Sequence, residues 1–523
     1  MYPSRLFIWG VTWGAVAVFI SFLIRILLGG TYLPELAAQA LFSLVPGSLE
    51  SQAVETLGPL AKESAFVGAS IIDVFLLAMI PVMLSRFKRT PAGRPRKAAV
   101  FTLLPYLVTL ILALLFISLA QVSSNPAGTA TILSSLLIPC AIFGLAMSSV
   151  RIGAVPKTTV VYPVERMKGG FSRKRRLFIK GAVGTAVAAV ILYYGVGLLF
   201  SKQAPPQSNS NEGSAILSAQ VTPNEDFYRV DVNVIAPSVD VGSWSLNLHG
   251  LVDTPMTLTY DQLLALPSVE EYATLECVSN KIGGDLTSTA LWKGVKLKDL
   301  LASAGVSSSA NYVVFKCYDG YDVGIPLENA EGDGTILAYQ MNGVDLPVDH
   351  GYPLRAIVPG LYGMMNAKWI TDIELVNGVY AGFWQRMGWE NDAHYQTGST
   401  IITPGDSPLR DKFGLSPSMT AITGASIDVV GSAFAGDRGI QKVEVSTDGG
   451  KTWEVASLQD PLSNYTWVFW RYEWNPPGNG NYELMVRATD GTGQVQTATM
   501  TDPFPNGATG YQAVDVQISN PSS

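Results

Sequence analysis

Cys277 stands in the stretch Thr274-Leu-Glu-Cys-Val-Ser-Asn-Lys-Ile-Gly-Gly284, between a strand-like run and a Gly-rich turn, in a chain with only three cysteines. A thiolate in that position suits a soft metal centre. The residue type also fits two plainer roles, a small buried core residue or half of a disulfide with Cys317. The stretch by itself leaves all three open.

Several other motifs flank it in order. They are Thr222-Pro-Asn-Glu-Asp-Phe-Tyr228, Trp244-Ser-Leu-Asn-Leu-His-Gly-Leu-Val-Asp253, Asp349-His-Gly-Tyr-Pro-Leu-Arg355, Val358-Pro-Gly360 and Ala367-Lys-Trp369. Together with the cysteine turn, this set resembles the sulfite oxidase family of molybdopterin enzymes, from about Val221 to Gln517. The resemblance implies that Cys277 donates its sulfur to molybdenum and that Asn280, in the turn after it, helps bind the cofactor. It also implies that His350, Arg355 and Lys368 contact the pterin and its phosphate. The chemistry suits them, since a dianionic phosphate favours Arg and Lys donors while an imidazole can bond a ring heteroatom. Phe227-Tyr-Arg-Val-Asp-Val-Asn233 stands where the family has an aromatic pair followed by Arg-Asn-His, which makes Tyr228, Arg229 and Asn233 further cofactor candidates.

Two departures from the family bear on substrate. Sulfite oxidases carry an arginine five residues after the metal cysteine, and here that position is Ile282, preceded by Lys281. They also carry a tyrosine beside the metal after a Trp-Gln-Arg segment, where Trp384-Gln-Arg-Met-Gly-Trp389 offers Trp389. Arg438, in Gly436-Asp-Arg-Gly-Ile440, matches the arginine that the C-terminal domain lends to the sulfite pocket. A larger and less anionic substrate than sulfite is therefore expected, with Cys277, Arg438 and Trp389 at the reacting centre.

The elements that must position these residues begin at about Val221; the chain before them is of another kind. With 48% hydrophobic residues and a mean hydropathy of +0.25, the chain is too apolar for an ordinary soluble enzyme. The excess lies in residues 1–200, where five segments are long enough to span a bilayer: Leu6 to Leu28, Phe66 to Leu84, Ala98 to Gln121, Ala130 to Val150 and Leu177 to Phe200. The loops Arg86 to Lys97 and Arg151 to Arg176 are basic, whereas Gly29 to Ser64 carries four glutamates against Lys62. Basic loops stay in the cytoplasm, so five spans place everything after Phe200 outside. The preface Ser172-Arg-Lys-Arg-Arg-Leu-Phe-Ile-Lys180 to the fifth span looks like a twin-arginine export signal around Arg175-Arg176. Residues 1–200 hold 18 of the 35 Lys and Arg but only 6 of the 42 Asp and Glu, so the exported part is acidic. That balance argues against nucleic acid as a partner.

A Pro-, Ser- and Asn-rich tether, Ser201 to Ser214, leads out of the membrane within a linker of residues 201–220. From 221 to 403, strands such as Tyr312 to Cys317 alternate with helices such as Leu297 to Ala304, an α+β pattern that the resemblance identifies as the molybdopterin domain. In residues 404–523 helices vanish beyond Ser416 and short strands recur, among them Ile427 to Val430, Gln441 to Ser446 and Tyr482 to Ala488. That rhythm reads as an immunoglobulin-like sandwich. The family places its dimerisation domain there, which implies a homodimer.

All three histidines, His249, His350 and His394, lie beyond Phe200 and Cys-x-x-Cys-His is absent, so the membrane part has no ligand pair for a bis-histidine haem. Electrons are then expected to pass to or from a separate carrier, such as a cytochrome, a cupredoxin or a quinone-linked protein. The expected protein is a multi-pass, extracytoplasmic molybdenum-molybdopterin oxidoreductase that transfers oxygen to or from a small molecule. The alternative is a non-catalytic membrane sensor or transport protein whose exported part keeps the fold as a ligand-binding module.

Overall fold

The computed structural model describes residues 3–28, 30–45, 49, 60–86, 94–119, 129–149, 212–233, 235–405, 407–413, 421–422 and 426–518. They divide into two compact units, the first grouping the N-terminal helices with residues 233–235. Three of its helices are long and apolar enough to cross a membrane, over Leu6–Leu27, Ser64–Leu84 and Ala98–Ile117. They match the first three expected spans. The fourth expected span is helical over Thr129–Ser149, but its apolar stretch, Leu133–Ser149, is shorter. The fifth, with its arginine pair, lies outside the described residues.

Within this unit Pro3–Leu28 packs on Leu60–Arg86 at a small-residue crossing, where a Cβ added to Gly10 would lie 2.8 Å from the Ala78 Cα. An additional helix, Leu33–Leu44, carries Glu35, which forms an ion pair with Arg25 at 2.6 Å. Its 12 residues fall short of a bilayer, which is why hydropathy alone passes over it.

The second unit opens earlier than the expected tether allows, with Glu212–Ser218 already helical and Ile216 buried against Ile402, Leu409 and Val430. One of its sheets runs in the order Met256–Thr259, Ser245–Gly250, Ile370–Val376, Tyr312–Cys317, Asp322–Pro326. Another begins with the hairpin Val269–Glu276 and Thr287–Lys296, continues through Ile336–Met341 to Val344–Asp345, and takes Arg355–Ile357 as a further partner of Ile336–Met341. The expected helix Leu297–Ala304 is present, with Leu297, Leu300, Leu301 and Ala304 buried along one face and Gly305 closing it at φ 69°. Its apolar spacing is the helical three-and-four repeat that the sequence shows.

Residues from Gly398 onward form two further sheets. The first orders as Gly398–Thr403, Ile427–Phe434, Val468–Trp474, Ser457–Leu458; the second as Ala421–Ile422, Gln512–Ile518, Gly480–Asp490, Ile440–Ser446, Glu454–Val455. Side chains from both, including Val429, Trp470, Val443, Val486 and Val516, share one core. The two sheets bury these side chains against one another.

Candidate active site

The hairpin positions the cysteine. Glu276 pairs with Thr287 at its last rung, so Cys277 is the first residue of the connecting loop, and its N–H donates to the Leu286 carbonyl at 2.9 Å. Asn280 braces that loop from inside: its side-chain oxygen accepts from Leu286 N at 3.0 Å and its amide donates to Glu276 Oε1 at 3.2 Å. A side chain at Gly284 would collide with the Asn280 oxygen, and Gly283 sits at φ 74°, so the two glycines are required by the turn. Asn280 thus holds the turn together with both ends of its amide.

Cys277 is buried, with its sulfur 3.0 Å from Ser279 Oγ, and all three cysteines are free thiols. Cys317 ends a strand in the core. The disulfide is therefore not made, and Cys277 stands in the turn as a buried, reduced thiol.

A second cluster gathers the cations. His350 Nε2 donates to the Asn224 carbonyl at 2.8 Å, which leaves Nδ1 of the neutral ring as an acceptor. Burial and the neighbouring Arg355 charge lower the imidazole to about 4, so it is neutral near pH 7. Arg355 donates to the His350 carbonyl at 3.1 Å and lies over the Trp292 ring at 4.8 Å, but among the described residues its buried Nε–H has no acceptor. Burial lowers the guanidinium to about 10. Lys368, also lowered by burial, reaches Asp231 at 2.9 Å, and Arg229 binds the same carboxylate at 3.0 Å and Asp349 at 2.9 Å.

Gly351 lets these groups meet: at φ 116°, an added Cβ would lie 3.1 Å from the Cβ atoms of both Arg355 and Lys368. Three cations face two carboxylates, and one buried donor is unspent. That is the donor set a phosphate dianion takes up, and with the buried, reduced thiol of Cys277 it fits a phosphate-bearing pterin that carries a thiolate-bound metal.

Tyr228 links the two clusters. Its ring stacks on Phe227 at 5.5 Å, and Phe227 in turn meets His350 and Trp292 edge-on. Burial, then the nearby Cys277, raises its phenol well above the ordinary value. Asn233 instead groups with the helical unit, where its side-chain oxygen accepts from Gln39 at 3.1 Å.

Beside the turn lies a cleft walled by Glu276, Asn280, Lys281, Ile282, Tyr362, Gln396, Phe434 and Trp467, among others. Neither Cys277 nor Trp389 is among these wall residues; Trp389 is buried edge-on against Phe504 at 5.2 Å. Arg438 is also engaged elsewhere, donating to Asp490 at 2.9 Å, to the Tyr395 carbonyl at 2.9 Å and to Thr397 at 3.1 Å. Sequence reading passed over Glu276, whose carboxyl burial pushes up to about 7 while the Asn280 amide opposes the shift. It also passed over Tyr362, whose hydroxyl accepts from Gln396 N at 3.2 Å, and over Asp231, Trp292 and Lys412. Asp231 carried a signal, a carboxylate two residues after Arg229, and so did Glu276, a carboxylate beside Cys277 and four residues before Asn280; Tyr362, Trp292 and Lys412 depend on long-range pairing.

Residues 233–384 match the oxidoreductase molybdopterin binding domain and residues 399–504 the Mo-co oxidoreductase dimerisation domain. The chain is 29% identical to the sulfite oxidase of Arabidopsis thaliana, covering 54% of this chain and 84% of that protein. It is 32% identical to the uncharacterized oxidoreductase YuiH of Bacillus subtilis (strain 168), over 33% of this chain and 87% of the relative. Against the mitochondrial sulfite oxidase of Macaca fascicularis, identity is 28% and the chain spans 60% of the relative's length and 58% of its own. The crystal structure of the sulfane dehydrogenase SoxCD from Paracoccus pantotrophus shares the fold at a TM-score of 0.50 and 23% identity, covering 62% of this chain and 90% of that one.

Proposed function

The chain belongs to the sulfite oxidase family of molybdopterin-dependent oxidoreductases, and on that premise we propose that it is a membrane-anchored, extracytoplasmic enzyme acting on a neutral oxygen donor or acceptor in preference to sulfite. When bound, the molybdenum cofactor supplies two-electron redox chemistry coupled to oxygen-atom transfer. Cys277 is the protein's ligand to the metal. Arg355 and Lys368 hold the phosphate, the Nδ1 of His350 accepts from the pterin, and Tyr228 and Arg229 complete the cradle. Asn280 acts by keeping the turn in shape.

The observation that carries the substrate preference is the cleft wall at Ile282, taken with Arg438 committed to Asp490. A dianion needs charge-assisted donors, each worth roughly 1.5–3 kcal/mol. Ile282 offers none, and Arg438 already spends its Nε and Nη2 on Asp490, Tyr395 and Thr397. A neutral S-oxide or N-oxide presents an acceptor oxygen without that demand. Anchoring is supported by the three apolar helices, and the outward orientation by the basic loops and Arg175-Arg176. Residues 404–523 form an immunoglobulin-like domain through which two copies pair, a reading supported by the dimerisation-domain match. Residues 221–403 hold the cofactor, and a separate carrier exchanges the electrons.

The test is protein purified from its membrane, analysed for molybdenum and pterin, then assayed with sulfite and with a neutral S-oxide plus an artificial electron donor. Stoichiometric cofactor with S-oxide turnover is expected. Efficient sulfite oxidation at micromolar substrate would overturn the substrate reading. Exchange of Arg175 and Arg176 for lysine separates folded export from simple anchoring, because the charge stays while the signal goes. The catalytic part of that variant is expected to remain protected from protease added to intact cells.

A further inference from the structure

Lys412 ends the short helix Leu409–Lys412, which is fastened by Leu409 in the cluster with Ile216, Ile402 and Val430. Its ammonium donates to the carbonyls of Asp285 and Thr287, the latter at 2.6 Å, and to Ser288 Oγ at 3.0 Å. All three of its protons are thereby spent on neutral oxygens, and among the described residues no carboxylate forms an ion pair with it. A half-buried cation held this way is costly unless its bonds are well made.

Those bonds fall on both supports of the candidate metal ligand. Leu286, between the two bonded carbonyls, accepts the Cys277 N–H at 2.9 Å and donates to Asn280 Oδ1 at 3.0 Å. Ser288 Oγ, the third acceptor, receives the Tyr228 N–H at 3.1 Å, and the ammonium lies 5.9 Å from the Tyr228 ring centre. One side chain from the C-terminal part of the unit thus fixes the return strand behind Cys277 and the aromatic that joins the thiol to the cation cluster.

We infer that Lys412 is a positioning residue that clamps the Cys277 turn and Tyr228 in the geometry the metal site requires. The inference rests on Cys277 being the metal ligand, and its test separates the two ideas. Amide exchange in the full-length protein reads the clamp directly, and the electron paramagnetic resonance spectrum of the metal reads the ligand geometry. In Lys412→Met, exchange over residues 276–288 and 227–229 is expected to accelerate about tenfold or more, with residues 480–490 unchanged and the metal spectrum altered. Turnover is expected to fall about tenfold to a hundredfold through kcat, since small misplacement is costly to chemistry. Lys412→Gln is read by the same criterion should the methionine variant fail to fold, and Lys412→Arg, which can still donate to carbonyls, is expected to restore part of the protection.

Unchanged exchange over 276–288, or equal acceleration in all sheets, would overturn the clamp. Faster local exchange with an unaltered metal spectrum would overturn its link to the metal. A wild-type protein that binds no molybdenum would sink the family-based ligand role of Cys277 instead.

Discussion

Arg438 donates through Nε to the fully buried Asp490 at 2.9 Å, so the arginine expected to meet an anionic substrate already has an anion of its own. Burial favours the neutral acid, but bonds from Thr492 and Arg438 outweigh it and hold the Asp490 carboxyl down at about 2. A depressed carboxylate stabilises the fold above its unfolded value near 3.8 and loses that contribution as pH falls toward 2. The expected loss is about 2 kcal/mol across this window, measured as a drop in the denaturant midpoint. Asp490→Asn should be less stable at pH 7 and should lack this part of the acid slope.

The cleft wall predicts a gain of function. Ile282→Arg places a charge-assisted donor in the wall where the chain has an aliphatic side chain, and sulfite affinity is expected to rise about tenfold or more. KM for sulfite and for a neutral S-oxide, measured side by side, checks it. Improvement for both substrates alike would count against charge as the cause. Trp389→Tyr, which alters a residue packed on Phe504 outside that wall, is expected to change thermal stability more than either KM.

The difference between these positions shows what the sequence makes legible. The strand Tyr312–Cys317 and the helix Leu297–Ala304 follow from local apolar periodicity, and both stand where that spacing puts them. The Cys277 turn is legible too, because its glycines, Asn280 and cysteine act on one another within a few residues. Arg438 meets Asp490 only because Ile440 registers with Asp490 across two strands, a partner 52 residues away that no local pattern reveals. Lys412 is hidden for the same reason, its acceptors lying more than a hundred residues earlier. Types of chemistry are read from short range; which donors remain free is decided at long range.

Cys277 and Cys317 should part company under substitution. Cys277→Ser exchanges a soft ligand for a harder one and is expected to cost at least a hundredfold in turnover with the fold retained. Cys317 is a free thiol in the core, pushed well up by burial, and its change to serine is expected to cost about 1–2 kcal/mol of stability and little turnover per folded molecule. Molybdenum content, turnover and thermal melting of both variants check this. Equal loss of turnover in the two would contradict the ligand role.

His350 sets the last expectation. Burial first, then the Arg355 charge, lowers its imidazole from 6.5 to about 4, while the unfolded chain keeps the ordinary value. Between those values the unfolded state binds the additional proton, so stability is retained above 6.5 and declines as pH falls toward 4. The lowering corresponds to up to about 3 kcal/mol. In cofactor-depleted protein, the denaturant midpoint should therefore fall steeply over this window, and His350→Gln, which keeps a donor for the Asn224 carbonyl, should flatten the slope. Bound cofactor should flatten it as well, because a phosphate dianion beside Arg355 and Lys368 offsets the positive charge that the imidazole meets. A slope identical in wild type and His350→Gln would show that the neutral ring is not what acid attacks.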